Sequence, residues 1–211
     1  MVGQDFGNLP VITYTYGKFR LLKIYNILTP EECDIIIKLG QASKLREDLV
    51  YHRGKKVYNA EKRGSKTAWF DDKDNPIISR LAKFTSAITN IPSSHQEPLQ
   101  FSQYDAGGGF SPHYDTCSAD RTICEEQEKG AGKRVATLLV YLNDDFTGGQ
   151  TEFLNIGVTI QPRRGMGILF WNTDEHGKIY RESLHAGNKV LHGRKYICTK
   201  WSHLRAYPVY H

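Results

Sequence analysis

From Leu99 onward the chain is a succession of short apolar stretches divided by glycine-rich turns, and this pattern narrows the fold more than any other feature. Leu99 to Tyr104, Phe110 to His113, Val135 to Leu142, Thr151 to Phe153, Val158 to Ile160, Gly167 to Phe170, Glu182 to Leu184 and Lys195 to Ser202 read as strands. Turn residues separate them at 105–109, 143–149 and 162–165. No helical periodicity alternates with these strands, which argues against parallel βαβ units and leaves a sandwich or open barrel.

Residues 1–98 read as support for that core. Val11 to Tyr16 and Phe19 to Ile27 suggest strands. Thr29, Pro30 and Glu32 then form a helix start, with Thr29 as N-cap, Pro30 at the first helical position and Glu32 closing a capping box. Cys33, Ile36, Ile37 and Gly40 give this helix one closely packed side. A second helix begins at Asn75-Pro76, turns Ile77, Ile78, Leu81, Phe84 and Ile88 inward, and stops near Asn90-Ile91-Pro92. Between the helices, Glu47 to Lys73 reads as part loop and part strand, at Val57-Tyr58 and Thr67 to Phe70. No repeat or long linker divides the chain, so its 211 residues are expected to form one domain, 1–211, with 1–98 supporting a core at 99–205.

Composition decides whether such a core is affordable. The hydrophobic fraction, 39%, is low, but twelve Tyr, nine Phe and three Trp supply large buried surfaces. Lys and Arg outnumber Asp and Glu by 28 to 23. The excess is scattered in short runs such as Arg53-Gly54-Lys55-Lys56 and Lys62-Arg63, so nucleic acid is not the expected partner. No apolar stretch has the ~18 residues of a membrane span, and the first residues lack a basic region leading into an apolar one. Cytoplasmic placement is therefore expected. Cys33, Cys117, Cys124 and Cys198 form no CxxC pair; a reduced compartment fits best, with a Cys117 to Cys124 bridge the lesser alternative.

The chemistry is carried by His113-Tyr114-Asp115. Residues two apart on a strand leave the same face, so one imidazole and one carboxylate converge there. A distant histidine can complete a two-histidine, one-carboxylate facial triad that leaves three positions open on iron. His185 is the choice among the remaining histidines, because it precedes a compact strand carrying Lys195, Thr199 and Trp201. An isolated His-x-Asp is common at solvated strand ends, so the whole set has to carry the assignment. Lys195, Thr199 and Trp201 are two or four apart and can share one barrel interior, where lysine would bind a carboxylate, threonine add a hydrogen bond and tryptophan wall the pocket. Lys195 could instead reach solvent or pair with a structural acid.

Tyr104, Gly107-Gly108-Gly109, His113-x-Asp115, the run Arg134 to Asn143, Gly148-Gly149-Gln150-Thr151-Glu152-Phe153, and Ser183-Leu184-His185-Ala186-Gly187 with Lys195 and Trp201 resemble the catalytic domain of prolyl 4-hydroxylases. The likeness extends to the opening helix at Ile27 to Cys33. It implies a mainly β fold with supporting N-terminal helices around a double-stranded β-helix, or jelly roll. It also implies hydroxylation of peptidyl proline at C4 with Fe(II), 2-oxoglutarate and O2, releasing succinate and CO2, with L-ascorbate keeping the iron reduced. His113, Asp115 and His185 match the metal ligands and catalytic centre; Lys195 matches the partner of the far carboxylate of 2-oxoglutarate, supported by Tyr104 and Thr199. Related oxygen-sensing prolyl hydroxylases and lysyl hydroxylases usually have arginine where this chain has Lys195.

For a proline-rich or collagen-like peptide partner, Arg63, Ser65, Trp69, Glu97, Phe110, Arg134, Trp201 and His203 resemble groove positions. Arginine forks and aromatic faces suit the exposed carbonyls of a polyproline II chain. Glu97, Arg134 and His203 could equally stabilise a sheet edge, and Trp69 could anchor the preceding loop. Phe110 stands where tyrosine often contacts substrate, and the polar segment Thr116 to Lys133 reads as a lid or a loop beside the site. The alternatives are a 2-oxoglutarate dioxygenase acting on another side chain or small molecule, and a non-catalytic module that binds proline-rich peptides.

Overall fold

The computed structural model describes residues 9–47, 49–52, 55–58, 63–117, 124 and 130–208, with only the backbone of 49–52 and 55–58. In chain order the elements are β1 (Val11–Tyr16), β2 (Phe19–Ile24), α1 (Pro30–Ala42), β3 (Arg46–Glu47), β4 (Leu49–His52), β5 (Lys55–Tyr58), β6 (Lys66–Phe70) and α2 (Pro76–Thr89). There follow β7 (Leu99–Tyr104), β8 (Phe110–His113), β9 (Arg134–Tyr141), β10 (Thr147–Gly148), β11 (Thr151–Phe153) and β12 (Val158–Ile160). The last are β13 (Gly167–Trp171), β14 (His185–Gly187), β15 (Val190–His192) and β16 (Lys195–His203). An eight-stranded sheet runs β1-β2-β13-β9-β16-β7-β6-β3, a four-stranded sheet runs β12-β11-β14-β8, and β10–β15 and β4–β5 form separate pairs. Neighbouring strands in the two larger sheets are antiparallel.

Alternation along the central strands sorts their side chains into two cores. Leu99 and Phe101 of β7, Leu138 and Val140 of β9, and Tyr196 and Cys198 of β16 pack with Cys33 and Ile36 of α1 and Ile78 and Leu81 of α2. The intervening residues Tyr104, Leu139, Tyr141 and Ile197 pack instead with Phe153 of β11 and Ile160 of β12. The layers are therefore helices, large sheet and small sheet, which is the expected jelly roll with supporting helices. Covered on both faces, β7 and β16 are buried along their whole length.

Local chemistry sets the helices as the sequence indicates. Thr29 accepts from Glu32 N at 3.2 Å while its own N–H donates to the Glu32 carboxylate at 3.0 Å. Asn75 caps Ile77 N at 2.9 Å, and Asn90 ends α2 in the left-handed region at φ 58°. Gly40 lets α1 lie directly on β7: a Cβ there would fall 2.4 Å from the ring of Phe101, which is itself fully buried. G40A is expected to destabilise the fold by about 1–3 kcal/mol through overpacking, less about 1 kcal/mol of helix propensity regained from glycine. Urea unfolding measures it, and a midpoint raised above that of the wild type would contradict the contact.

Four expectations are corrected. Glu182 to Leu184 is not a strand: Arg181–Ser183 forms a 3₁₀ turn, and the strand starts at His185, where pairing with β8 and β11 begins. β2 stops at Ile24 rather than Ile27, because Asn26 takes φ 58° and turns the chain toward α1. β10, which lies within the turn read at 143–149, pairs across an irregular register with β15, a short strand to which the sequence reading assigned no element. Cys117 and Cys124 form a disulfide, their Cα atoms 5.4 Å apart, whereas Cys33 and Cys198 are free and buried. The proposed lid falls at 118–123 and 125–129 outside the described residues, as do Arg53, Gly54 and Lys62. Among the described residues no helix is long and apolar enough to cross a membrane.

Candidate metal centre and active site

The small sheet brings the three candidate ligands together. His185 at the start of β14 lies directly opposite His113 at the end of β8, with ring centroids 4.3 Å apart. Asp115 follows two residues later, and its Oδ1 is 3.4 Å from His113 Nε2 and 3.8 Å from His185 Nε2. One donor atom from each of the three lies within 4.8 Å of the others.

Backbone carbonyls fix the tautomers. His113 Nδ1 lies 2.8 Å from Ser111 O, and His185 Nδ1 lies 2.9 Å from Ser183 O. A carbonyl oxygen only accepts, so Nδ1 carries the proton and the neutral ring presents its Nε2 lone pair to the centre. Burial, reinforced by the neighbouring His113, pushes His185 down to about 4 against the pull of Asp115. Burial would raise the Asp115 carboxyl, but His185 and His113 outweigh it and hold the group well below the usual carboxylate range. Two imidazole lone pairs and one carboxylate make a donor set that fits Fe(II).

This centre opens into a cleft between the sheets. Gln100, Ser102, Tyr104, Leu139, Lys195, Ile197, Thr199 and Trp201 line its large-sheet wall; Phe110, Thr151 and Gly187 line the other with the two histidines; Arg63 joins them. Lys195 is 3% exposed and donates to Gly149 O at 2.7 Å, with Nζ 5.5 Å above the Tyr104 ring centroid. No carboxylate pairs with it among the described residues, and burial pushes its ammonium down to about 7. Gly149 makes this approach feasible: its φ is +67°, and a Cβ would meet the Phe146 ring at 2.7 Å and Lys195 Cδ at 3.1 Å.

The groove candidates divide. Arg63 lies over the Phe110 ring at 4.5 Å and donates to Gln100 at 2.8 Å and to Ser65 at 3.3 Å. Phe110 stacks on the His113 ring, centroids 3.5 Å apart. Trp69 is exposed, its ring 5.9 Å from that of Trp201. Glu97, Arg134 and His203 do not line the cleft but bind one another behind it. Arg134 forks onto both Glu97 oxygens, and His203 Nε2 meets the same carboxylate at 2.7 Å. Burial alone would raise Glu97; Arg134 and His203 outweigh it and hold the carboxyl at about 2. The Arg134 guanidinium covers the Trp201 ring at 3.9 Å, so this network backs a cleft wall.

Sequence reasoning missed Gln100, Ser102, Thr137, Tyr141, Thr151 and Asn172. Tyr141 OH donates to Thr151 Oγ1 at 2.7 Å, which leaves the Thr151 hydroxyl hydrogen free for an acceptor in the cleft. The available signal was the period of two through Gln100, Ser102 and Tyr104 and through Thr137, Leu139 and Tyr141.

Comparisons with known proteins agree with this geometry. Residues 99–203 match the model of the 2OG-Fe(II) oxygenase superfamily. A probable prolyl 4-hydroxylase 3 from Arabidopsis thaliana is 30% identical over 209 residues, covering 90% of this chain and 71% of that protein. The chain belongs to the prolyl 4-hydroxylase family of 2OG-Fe(II) oxygenases. Another member, prolyl 4-hydroxylase subunit alpha-1 from Rattus norvegicus, is 30% identical over 190 residues, which are 90% of this chain. The match spans 35% of that subunit, so this prolyl 4-hydroxylase homologue covers about a third of the length of the alpha-1 relatives. The solved viral collagen prolyl hydroxylase from Paramecium Bursaria Chlorella virus-1, in its 2OG complex, superposes with a TM-score of 0.70 at 30% identity, covering 88% of this chain and 96% of that one.

Proposed function

We propose that this chain hydroxylates peptidyl proline at C4, using Fe(II), 2-oxoglutarate and O2, with ascorbate as the reductant that maintains the iron. The observation that carries the reading is the convergence of His113, Asp115 and His185 in the same cleft as a buried lysine that has no carboxylate partner among the described residues. Fe(II), when bound, would couple O2 activation to the oxidative decarboxylation of 2-oxoglutarate. The three ligands would hold it through His113 Nε2, His185 Nε2 and the Asp115 carboxylate.

The remaining work belongs to the protein. Lys195 neutralises the outer carboxylate of 2-oxoglutarate where an unpaired charge would be costly, and Thr199 and Tyr104 flank it. Leu139 and Ile197 keep water from the cleft floor. Arg63, Phe110 and Trp201 line the cleft and suit an extended proline-rich or collagen-like peptide; Arg134 and its partners Glu97 and His203 brace Trp201, and Ser65 orients Arg63. Trp69 extends the aromatic surface beyond Trp201. Compartment is tied to the disulfide: such bridges persist in oxidising surroundings and are rare in the cytosol, so cytoplasmic placement would require Cys117–Cys124 to open.

Mass spectrometry of proline-rich and collagen-like peptides incubated with the protein, Fe(II), 2-oxoglutarate, ascorbate and O2 tests the reading. The expected result is a single-oxygen gain localised to proline C4, absent without 2-oxoglutarate. Metal-dependent succinate formation with no peptide modified would move the assignment to another substrate.

A further inference from the structure

Asp115 is held by a chain of two buried residues outside the cleft. Thr137, in the middle of β9 and 1% exposed, donates its hydroxyl to Asp115 Oδ2 at 2.7 Å. Asn172, just past the end of β13 and fully buried, donates Nδ2 to Thr137 Oγ1 at 2.9 Å. The direction of this chain is forced. An ionised carboxylate only accepts, so the single hydroxyl hydrogen of Thr137 goes to Asp115, and what Thr137 accepts has to come from the amide nitrogen of Asn172.

The two carboxylate oxygens therefore have separate tasks. Oδ2 is engaged by Thr137, while Oδ1 faces the Nε2 atoms of His113 and His185 at 3.4 and 3.8 Å. A carboxylate free to rotate could offer both oxygens to a metal and consume one of the three positions that a two-histidine, one-carboxylate site leaves open. A second observation points the same way. Asn172 Oδ1 is buried without a hydrogen-bond partner among the described residues. A half-satisfied buried amide is costly, and an apolar side chain would avoid that cost; what Asn172 contributes is the donor that orients Thr137.

Building on the reading of His113, Asp115 and His185 as a metal centre, we propose that Thr137 and Asn172 are positioning residues that make Asp115 a one-oxygen ligand. Asn172 acts only through Thr137, and Thr137 acts only through Oδ2.

Cobalt(II) titration of the metal-free full chain, followed by visible absorption and calorimetry, tests this apart from activity. T137V keeps the shape and removes the donor. It is expected to weaken Co(II) binding about 10- to 100-fold, the usual cost of losing a partner of a metal ligand, and to alter the visible bands as Oδ2 joins the coordination. T137S retains the hydroxyl and should restore both affinity and spectrum. N172L should weaken binding less than T137V, and T137V/N172L should be no weaker than T137V alone. Wild-type affinity and spectrum in T137V, a T137S that behaves as T137V, or additive losses in the double variant would overturn the proposal. If circular dichroism shows T137V unfolded, T137S and N172L decide it: N172L binding and spectrum equal to wild type would overturn the chain. A wild-type chain that binds no Co(II) would instead remove the metal reading itself, a result distinct from any pattern among the variants.

Discussion

Asp115→Ala is expected to yield a folded protein that retains no Fe(II) at micromolar metal and forms no succinate. The carboxylate supplies the only negative charge among the three donors, and its Oδ1 is the atom that faces both Nε2 lone pairs. Without it, two neutral imidazoles remain, and the charge that offsets the cation is gone. Loss of several kcal/mol of metal-supplied stabilisation corresponds to at least about a thousandfold in turnover. The fold should survive, since the cores that flank the large sheet do not depend on this residue. Anaerobic Fe(II) binding together with succinate release measures both halves. Retained stoichiometric iron in the folded variant would show that Asp115 is not a ligand, and His113→Ala in the same assays would then show whether the histidines bind metal at all.

Legibility followed periodicity. The convergence of His113 and Asp115 was readable because the His-x-Asp spacing sits at a strand end, and the shared cleft wall of Lys195, Thr199 and Trp201 because they lie four and two residues apart on one strand. Both capped helices were readable because their starts are local chemistry, complete within four residues. Glu97, Arg134 and His203 resembled groove positions and could equally have stabilised a sheet edge; the structure closes them onto one another behind Trp201, where β9, β16 and the segment before β7 bring the three ionisable groups together. Thr137, Thr151 and Asn172 were overlooked for a different reason. Each is a small polar residue in or beside a buried strand; the period of two puts Thr137 on one face with Leu139 and Tyr141, but a single sequence does not tell which partner such a polar group meets. The start of β14 was misplaced because its pairing with β8 and β11 is long-range, and the preceding 3₁₀ turn has no distinctive residue pattern.

Lys195→Met is expected to raise the 2-oxoglutarate requirement while leaving metal binding intact, and the wild-type requirement itself should depend on pH. The ammonium lies in the cleft with Gly149 O as its hydrogen-bond acceptor, and burial lowers it to about 7. Below pH 7 the free protein already carries the charge that a carboxylate seeks. Above pH 7 lysine in the free protein is neutral, and binding a carboxylate has to take up a proton. Affinity is thus flat below about pH 7 and falls about tenfold per unit above it, each unit being 1.36 kcal/mol of differential interaction. 2-Oxoglutarate stays a dianion throughout, so the slope belongs to the protein. Calorimetry on the Ni(II)-loaded protein, in buffers of different ionisation heat, should show uptake approaching one proton at pH 8. K195M forfeits a charge-assisted hydrogen bond worth about 1.5–3 kcal/mol, or about 10- to 100-fold in affinity at pH 6.5, and it should flatten the pH dependence. Equal wild-type affinity at pH 6.5 and 9 would show that lysine titration is not coupled to binding. An unchanged requirement in K195M would remove Lys195 from the cosubstrate site and leave the cleft's buried cation without a ligand to explain it.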